Sequence, residues 1–168
     1  MKYISEQLTS NIIKEWNNGE NILITAPTGS GKTTWVKNIL SKNSKSVLVL
    51  VNRSNLKKQL DKKFKGTNVA ISTYQYIESS IRTGRSLDIE KYDTIVCDEA
   101  HYFISDSGFN HFTDLSLSLV LLSNSIKIFM SATIEELEEY FNHVGIVVND
   151  IQNFEFDNNI SKIYSYQN

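Results

Sequence analysis

Gly29, Ser30, Gly31, Lys32 and Thr33 follow Ala26, Pro27 and Thr28 in a segment whose residue types suit the holding of phosphate. Gly29 and Gly31 can take backbone angles closed to other residues, so successive N–H groups can turn inward around phosphate oxygens at the positive end of a following helix. Lys32 would add a full charge at the terminal phosphates, and the Thr33 hydroxyl would be offered to Mg²⁺. Thr28 and Thr34 flank the turn and complete the candidate nucleotide contacts. Farther along, Asp98 and Glu99 stand side by side, followed by Ala100 and His101. Two adjacent carboxylates can divide the labour of phosphoryl transfer: Asp98 to hold Mg²⁺, Glu99 to orient and deprotonate an attacking water. Lys32, Asp98 and Glu99 are the candidate catalytic residues, and Thr33 and Asp98 the candidate metal ligands. A plain glycine-rich turn and a strand end capped by acids are the alternatives, and each motif raises the odds of the other.

This chemistry needs a strand before each motif and a helix after the glycines. Residues 21–25 form a short apolar run ending at Ala26, as expected of a strand buried on both faces of a parallel sheet. The helix that follows begins within 31–33 and bears Trp35, Val36, Ile39 and Leu40. Residues 94–97 form a second buried strand, which puts Asp98 and Glu99 at its carboxyl end, where open α/β sheets place their ligand sites. The remaining elements alternate in the same way: strands at 46–51, about 69–71, 126–130 and 145–148, and helices at about 54–64, 74–82, 111–122 and 134–141. Before them, Ile4, Leu8, Ile12, Ile13 and Trp16 recur at helical spacing, so one amphipathic helix is expected over 4–16. Residues 83–90 read as a loop. The pattern predicts an α/β fold with a mainly parallel central sheet and helices on both faces.

Composition narrows the class. With 168 residues, 40% hydrophobic and 21% charged, the chain is long enough for one well-buried core and is neither fibrous nor disordered in character. A net charge of −2 argues against a dedicated high-affinity nucleic-acid binder, although it leaves local contacts open. The one cysteine, Cys97, lies in an apolar run and is expected to be buried filler, with no disulfide framework. No stretch has the length of a membrane span and no signal-peptide pattern opens the chain, so a cytoplasmic protein without membrane partners is expected. Metal binding beyond Mg²⁺ is not expected.

The motifs and their order resemble superfamily 2 DEAD/DEAH-box helicases over nearly the whole chain. Residues 26–33 are similar to motif I, with Ala26 at the first glycine position, and Asp98, Glu99, Ala100 and His101 spell the DEAH form of motif II. Ser131, Ala132 and Thr133 resemble motif III. Residues 51–59 resemble motif Ia, with Asn52 in place of the common proline, and Thr73, Tyr74 and Gln75 resemble the region near motif Ib. The resemblance implies a three-layer P-loop NTPase domain of RecA-like type that uses ATP and Mg²⁺. It implies coupling roles for His101, Ser131 and Thr133, nucleic-acid contacts for Arg53, Thr73 and Gln75, and adenine reading by Gln7. Lys58, Lys62 and Lys65 would share one helical face and would suit either phosphates or plain solvation.

In this family ATP is closed between two RecA-like domains, and the second brings arginines to the γ-phosphate. Nothing after Thr133 matches those motifs. The expectation is therefore a RecA-like ATP-binding domain over 1–148, followed by a tail or connector at 149–168 toward a second such domain. The partner would be nucleic acid, DNA ahead of RNA, although the DEAH spelling is shared by enzymes acting on either. A nucleotide-binding regulatory module without turnover, and the motor of a restriction or packaging machine, are the alternatives.

Overall fold

The computed structural model describes residues 3–85, 88–105 and 111–154. Six strands form one sheet: β1 (Asn21–Thr25), β2 (Val47–Val51), β3 (Val69–Thr73), β4 (Thr94–Cys97), β5 (Ile126–Ser131) and β6 (Asp150–Gln152). Their order is β3-β2-β4-β5-β1-β6, and every pairing is parallel. The helices between them are α1 (Ile4–Gln7), α2 (Ser10–Ile13), α3 (Lys32–Trp35), a π-helical turn (Val36–Leu40) leading into α4 (Ser41–Asn43), α5 (Ser54–Lys63), α6 (Tyr74–Arg82), α7 (Tyr102–Ser105), α8 (His111–Leu122) and α9 (Glu135–His143).

Successive strand side chains point to opposite faces, so each strand feeds two cores. On one face Ile22, Ile24, Val47, Val49, Val51, Val96, Ile128 and Met130 pack with Trp35, Leu40, Leu60 and Phe64 from the earlier helices. On the other, Leu23, Leu48, Leu50, Ile95, Cys97 and Phe129 pack with Tyr74, Ile77, Phe103, Val120, Leu137 and Phe141 from the later ones. All five residues of β2 are buried, which explains its unbroken Val-Leu run. Cys97 is buried as expected, and burial pushes its thiol pKa up, away from reactivity.

The helix expected over 4–16 is two short helices. Thr9 is extended between them, and the carbonyl of Leu8 accepts a hydrogen bond from Trp35 Nε1 at 2.9 Å. That tertiary bond takes the acceptor that a continuous helix would have used. The sequence pattern also missed α7.

The last strand is displaced from 145–148 to Asp150–Gln152. Gly145, at φ +76°, turns the chain out of α9, and the Ile146 N–H returns to the Phe141 carbonyl at 2.8 Å. Ile146 and Val148 then pack on the core while Val147 is exposed, giving the alternation of a strand without its ladder. β6 pairs with β1 instead, and Trp16 Nε1 donates to Asp150 Oδ2 at 2.8 Å. The sheet therefore runs past Asn149, where the tail was expected to begin, and the rest of that tail, residues 155–168, lies outside the described residues.

Candidate nucleotide site

β1, β4 and β5 end at the same edge of the sheet, with β5 between the other two. The motifs that follow them are thereby side by side. The Ala26 N–H donates to the Ser131 carbonyl at 2.7 Å, and the Ala100 N–H donates to the Met130 carbonyl at 2.8 Å. The end of β5 thus holds both the glycine loop and the acidic turn.

Gly29 and Gly31 have φ of +84° and +86°, the left-handed conformation that the glycine spacing predicted. Ser30 is buried, and its carbonyl accepts from the Ile4 N–H at 3.0 Å, so α1 braces the loop from behind. The loop leads straight into α3. Thr28, Gly29, Gly31, Lys32, Thr33 and Thr34 form one side of a cleft of about 660 Å³, and Asp98, Glu99 and His101 form another. Asn52, Arg53 and Leu56, from the turn after β2 and the start of α5, close a third side.

Lys32 Nζ lies 2.8 Å from Asp98 Oδ1 and 2.7 Å from Glu99 Oε1. Burial by itself would lower the pKa of this ammonium, but the charges and hydrogen bonds of Asp98 and Glu99 outweigh it and hold the group above its ordinary 10.5. Glu99 is the one non-glycine among the described residues with positive φ, at +52°. A left-handed glutamate costs on the order of 1–2 kcal/mol and persists because the turn is pinned around it. The pins are the Asp98 N–H to the Leu50 carbonyl at 2.9 Å, the bond from Ala100 already described, and the Tyr102 N–H to the Glu99 carbonyl at 3.0 Å.

The expected coupling residues meet here. His101 Nδ1 is 3.4 Å from Ser131 Oγ and 3.5 Å from Glu99 Oε2, and the Thr133 N–H donates to Ser131 Oγ at 3.3 Å. Gln7 lies on α1, half-buried beside the loop but not among the walls of the cleft, and its Nε2 has no hydrogen-bond partner among the described residues. Of the three residues expected to touch nucleic acid, one is a wall of the cleft. Arg53 lines it; Thr73 is buried and caps α6, its hydroxyl accepting from the Tyr76 N–H at 3.2 Å; and Gln75 Nε2 donates to the Asn52 carbonyl at 3.1 Å. Lys58 and Lys62 are exposed on α5, whereas Lys65, also exposed, lies beyond the end of that helix at Lys63 and does not share its face.

The donor set suits Mg²⁺, which keeps several waters and takes one or two carboxylates together with substrate phosphates. Asp98 and Thr33 both line the same cleft. Among the described residues no group of three His, Cys, Asp or Glu side chains is placed to hold a metal by itself. None of the described helices is long and apolar enough to cross a membrane.

The family model described as DEAD/DEAH box helicase matches residues 35–140, more than half of the chain, and that of the type III restriction enzyme res subunit matches residues 1–68. No curated protein sequence matches. Among solved structures, the Hef helicase domain of Pyrococcus furiosus is 22% identical with a TM-score of 0.60, over 89% of this chain and 38% of that one. A hypothetical ATP-dependent RNA helicase from Sulfolobus tokodaii is 20% identical with a TM-score of 0.61, over 88% of this chain and 51% of that one. At these identities the likeness is one of fold, and the chain spans about half or less of either relative.

Proposed function

The chain belongs to the DEAD/DEAH box helicase family and has its RecA-like fold, and on that premise we propose that it is the ATP-binding first motor domain of a nucleic-acid helicase or translocase. The observation that supports this most is the single cleft in which the left-handed glycine loop, Lys32, Thr33, Asp98 and Glu99 converge. The loop amides and Lys32 bind the phosphates. Thr33 and Asp98 would hold Mg²⁺, which when bound neutralises charge on the phosphate oxygens. Glu99 orients the attacking water and takes its proton. His101, against both Glu99 and Ser131, links this carboxylate to the end of β5.

The cations on the cleft walls are Lys32 and Arg53. A second RecA-like domain would add the arginines that the family brings to the γ-phosphate, a contribution of about 10³ to 10⁵ in rate. This domain alone is therefore expected to bind ATP and hydrolyse it slowly. DNA is the proposed substrate ahead of RNA. The match of residues 1–68 to the type III restriction enzyme res subunit favours a second reading, the motor of a restriction machine, with the same chemistry in this cleft.

Titration with a fluorescent ATP analogue and Mg²⁺, followed by hydrolysis assays with single-stranded DNA, with RNA and with neither, tests the proposal. Binding without Mg²⁺ dependence, or hydrolysis indifferent to every nucleic acid in a protein that contains both domains, would sink it. Stimulation by RNA alone would reverse the substrate order.

A further inference from the structure

Thr73 and Gln75 were expected to touch nucleic acid, and the hydrogen bonds of Gln75 and of Tyr74 between them run toward the cleft walls. Tyr74 is fully buried at the start of α6, and its hydroxyl donates to the Asp98 carbonyl at 2.9 Å. That carbonyl belongs to the peptide joining Asp98 to Glu99, at the point where the backbone enters its left-handed turn. The Tyr74 ring has little freedom to leave. It stacks on Tyr102 with centroids 4.6 Å apart and planes 10° from parallel, and Phe103 meets it edge-on at 5.0 Å. Tyr102 is anchored in turn to α6, its hydroxyl donating to Glu78 Oε1 at 2.9 Å. The next residue, Gln75, reaches the Asn52 carbonyl and so holds the turn that presents Arg53 to the cleft.

We infer that Tyr74 and Gln75 are positioning residues of the nucleotide site, one turn of chain fixing two separate walls of the cleft. Tyr74 sets the backbone from which Asp98 and Glu99 project. Gln75 sets Asn52 and Arg53. A phenylalanine would fill the same space at Tyr74, so packing alone does not call for the hydroxyl; a part-buried acceptor at Asp98 does. The inference rests on the reading of the cleft as an ATP and Mg²⁺ site.

The test compares affinities for a fluorescent ATP analogue with Mg²⁺ and with EDTA, alongside thermal melting, in wild type, Tyr74→Phe, Gln75→Met and Lys32→Ala. Loss of one hydrogen bond behind the metal-binding carboxylate should weaken binding with Mg²⁺ by about fivefold in Tyr74→Phe and leave binding in EDTA unchanged. Gln75→Met keeps the length and removes the donor on an exposed bond without adding charge, so a loss of about two- to threefold is expected, with affinity for a single-stranded oligonucleotide unchanged. If Tyr74→Phe matches wild type while Lys32→Ala loses binding, the positioning role is overturned and the nucleotide site stands. Equal losses with Mg²⁺ and EDTA, together with a lower melting temperature, would make Tyr74 a packing residue only, which also overturns it. If Gln75→Met weakens oligonucleotide binding and leaves ATP binding at the wild-type value, Gln75 faces nucleic acid and its part of the inference fails. Wild type that binds no nucleotide overturns both readings.

Discussion

At the carboxyl end of the sheet Lys32 sits 2.8 Å from Asp98 and 2.7 Å from Glu99, with 15% of its side chain open to solvent. At the amino end Lys127, at the start of β5, is 2% exposed and gives its protons to two neutral carbonyls, Gly19 at 2.9 Å and Ser123 at 3.0 Å. Burial lowers the pKa of Lys127, with Glu90 partly opposing, whereas the paired carboxylates raise that of Lys32. One lysine is held by charges that a ligand could compete for. The other ties the turn entering β1 to the chain leaving α8, where no exchange is possible without opening the fold. A strong electrostatic cluster at a strained, partly open turn suits the proposed working site, and a satisfied, closed-in charge suits scaffold.

The largest expected effects are at the open end. Glu99→Gln keeps the shape of the turn and removes the proposed base, so hydrolysis in a protein with both domains should fall by about 10² to 10⁴-fold while ATP affinity stays within a few fold. Hydrolysis at the wild-type rate would assign the base elsewhere. Lys32→Ala should lower ATP affinity by about 100-fold, the scale of a charge-assisted contact made to phosphate, with folding stability changed by less than about 1 kcal/mol because the cluster is part-solvated. Equilibrium binding and urea unfolding measure the two quantities, and a loss of stability in place of affinity would make Lys32 scaffold like Lys127.

The converse substitution sharpens the contrast. Lys127→Met removes both donors and leaves the Gly19 and Ser123 carbonyls without them. Buried groups left unpaired cost about 1–3 kcal/mol each, and the relief of removing a buried charge offsets part of this, so a net loss of about 1–3 kcal/mol is expected in urea unfolding. ATP affinity should not move. If it falls along with stability, the two ends of β5 are coupled and the division between site and scaffold fails.

The site was more legible than its surroundings, and for a physical reason. Glycines at two set positions, a lysine and adjacent acids are demanded by local chemistry, so Gly29, Gly31, Lys32, Asp98 and Glu99 declared themselves by type and spacing. The buried strands did the same through apolar runs such as 47–51. What stayed hidden depends on contacts distant in sequence. Leu8 breaks its helix to meet Trp35, 27 residues away, and Asp150 joins the sheet through Trp16 and β1 although its neighbours Asn149 and Gln152 look like tail. Residues 145–148 have the composition of a strand, but the left-handed Gly145 sends them over the core without a pairing partner. Lys127 is a charged residue inside the apolar run 126–130, and neither its type nor its spacing marks it as buried. Only the approach of Gly19 and Ser123 makes it buried.

The smallest effect is one of pH, and it separates the two lysines by sign. Lys127 has a folded pKa below its unfolded value of about 10.5. Between those two values the unfolded chain binds more protons than the folded one, so stability from this group rises with pH, the cost of a buried charge being relieved as the proton leaves. Lys32 has a folded pKa above 10.5, so its contribution is fully present below that value and is lost as pH rises through the folded pKa. Unfolding measured in urea from about pH 8 upward, as the difference between wild type and each of Lys127→Met and Lys32→Met, cancels the titrations the proteins share. The Lys127 difference should grow as pH approaches 10.5 from below, and the Lys32 difference should hold level there and decline only above it. Two differences that slope the same way below 10.5 would mean that Lys32 is governed by its burial and not by Asp98 and Glu99, and the electrostatic argument for the open end would fall with it.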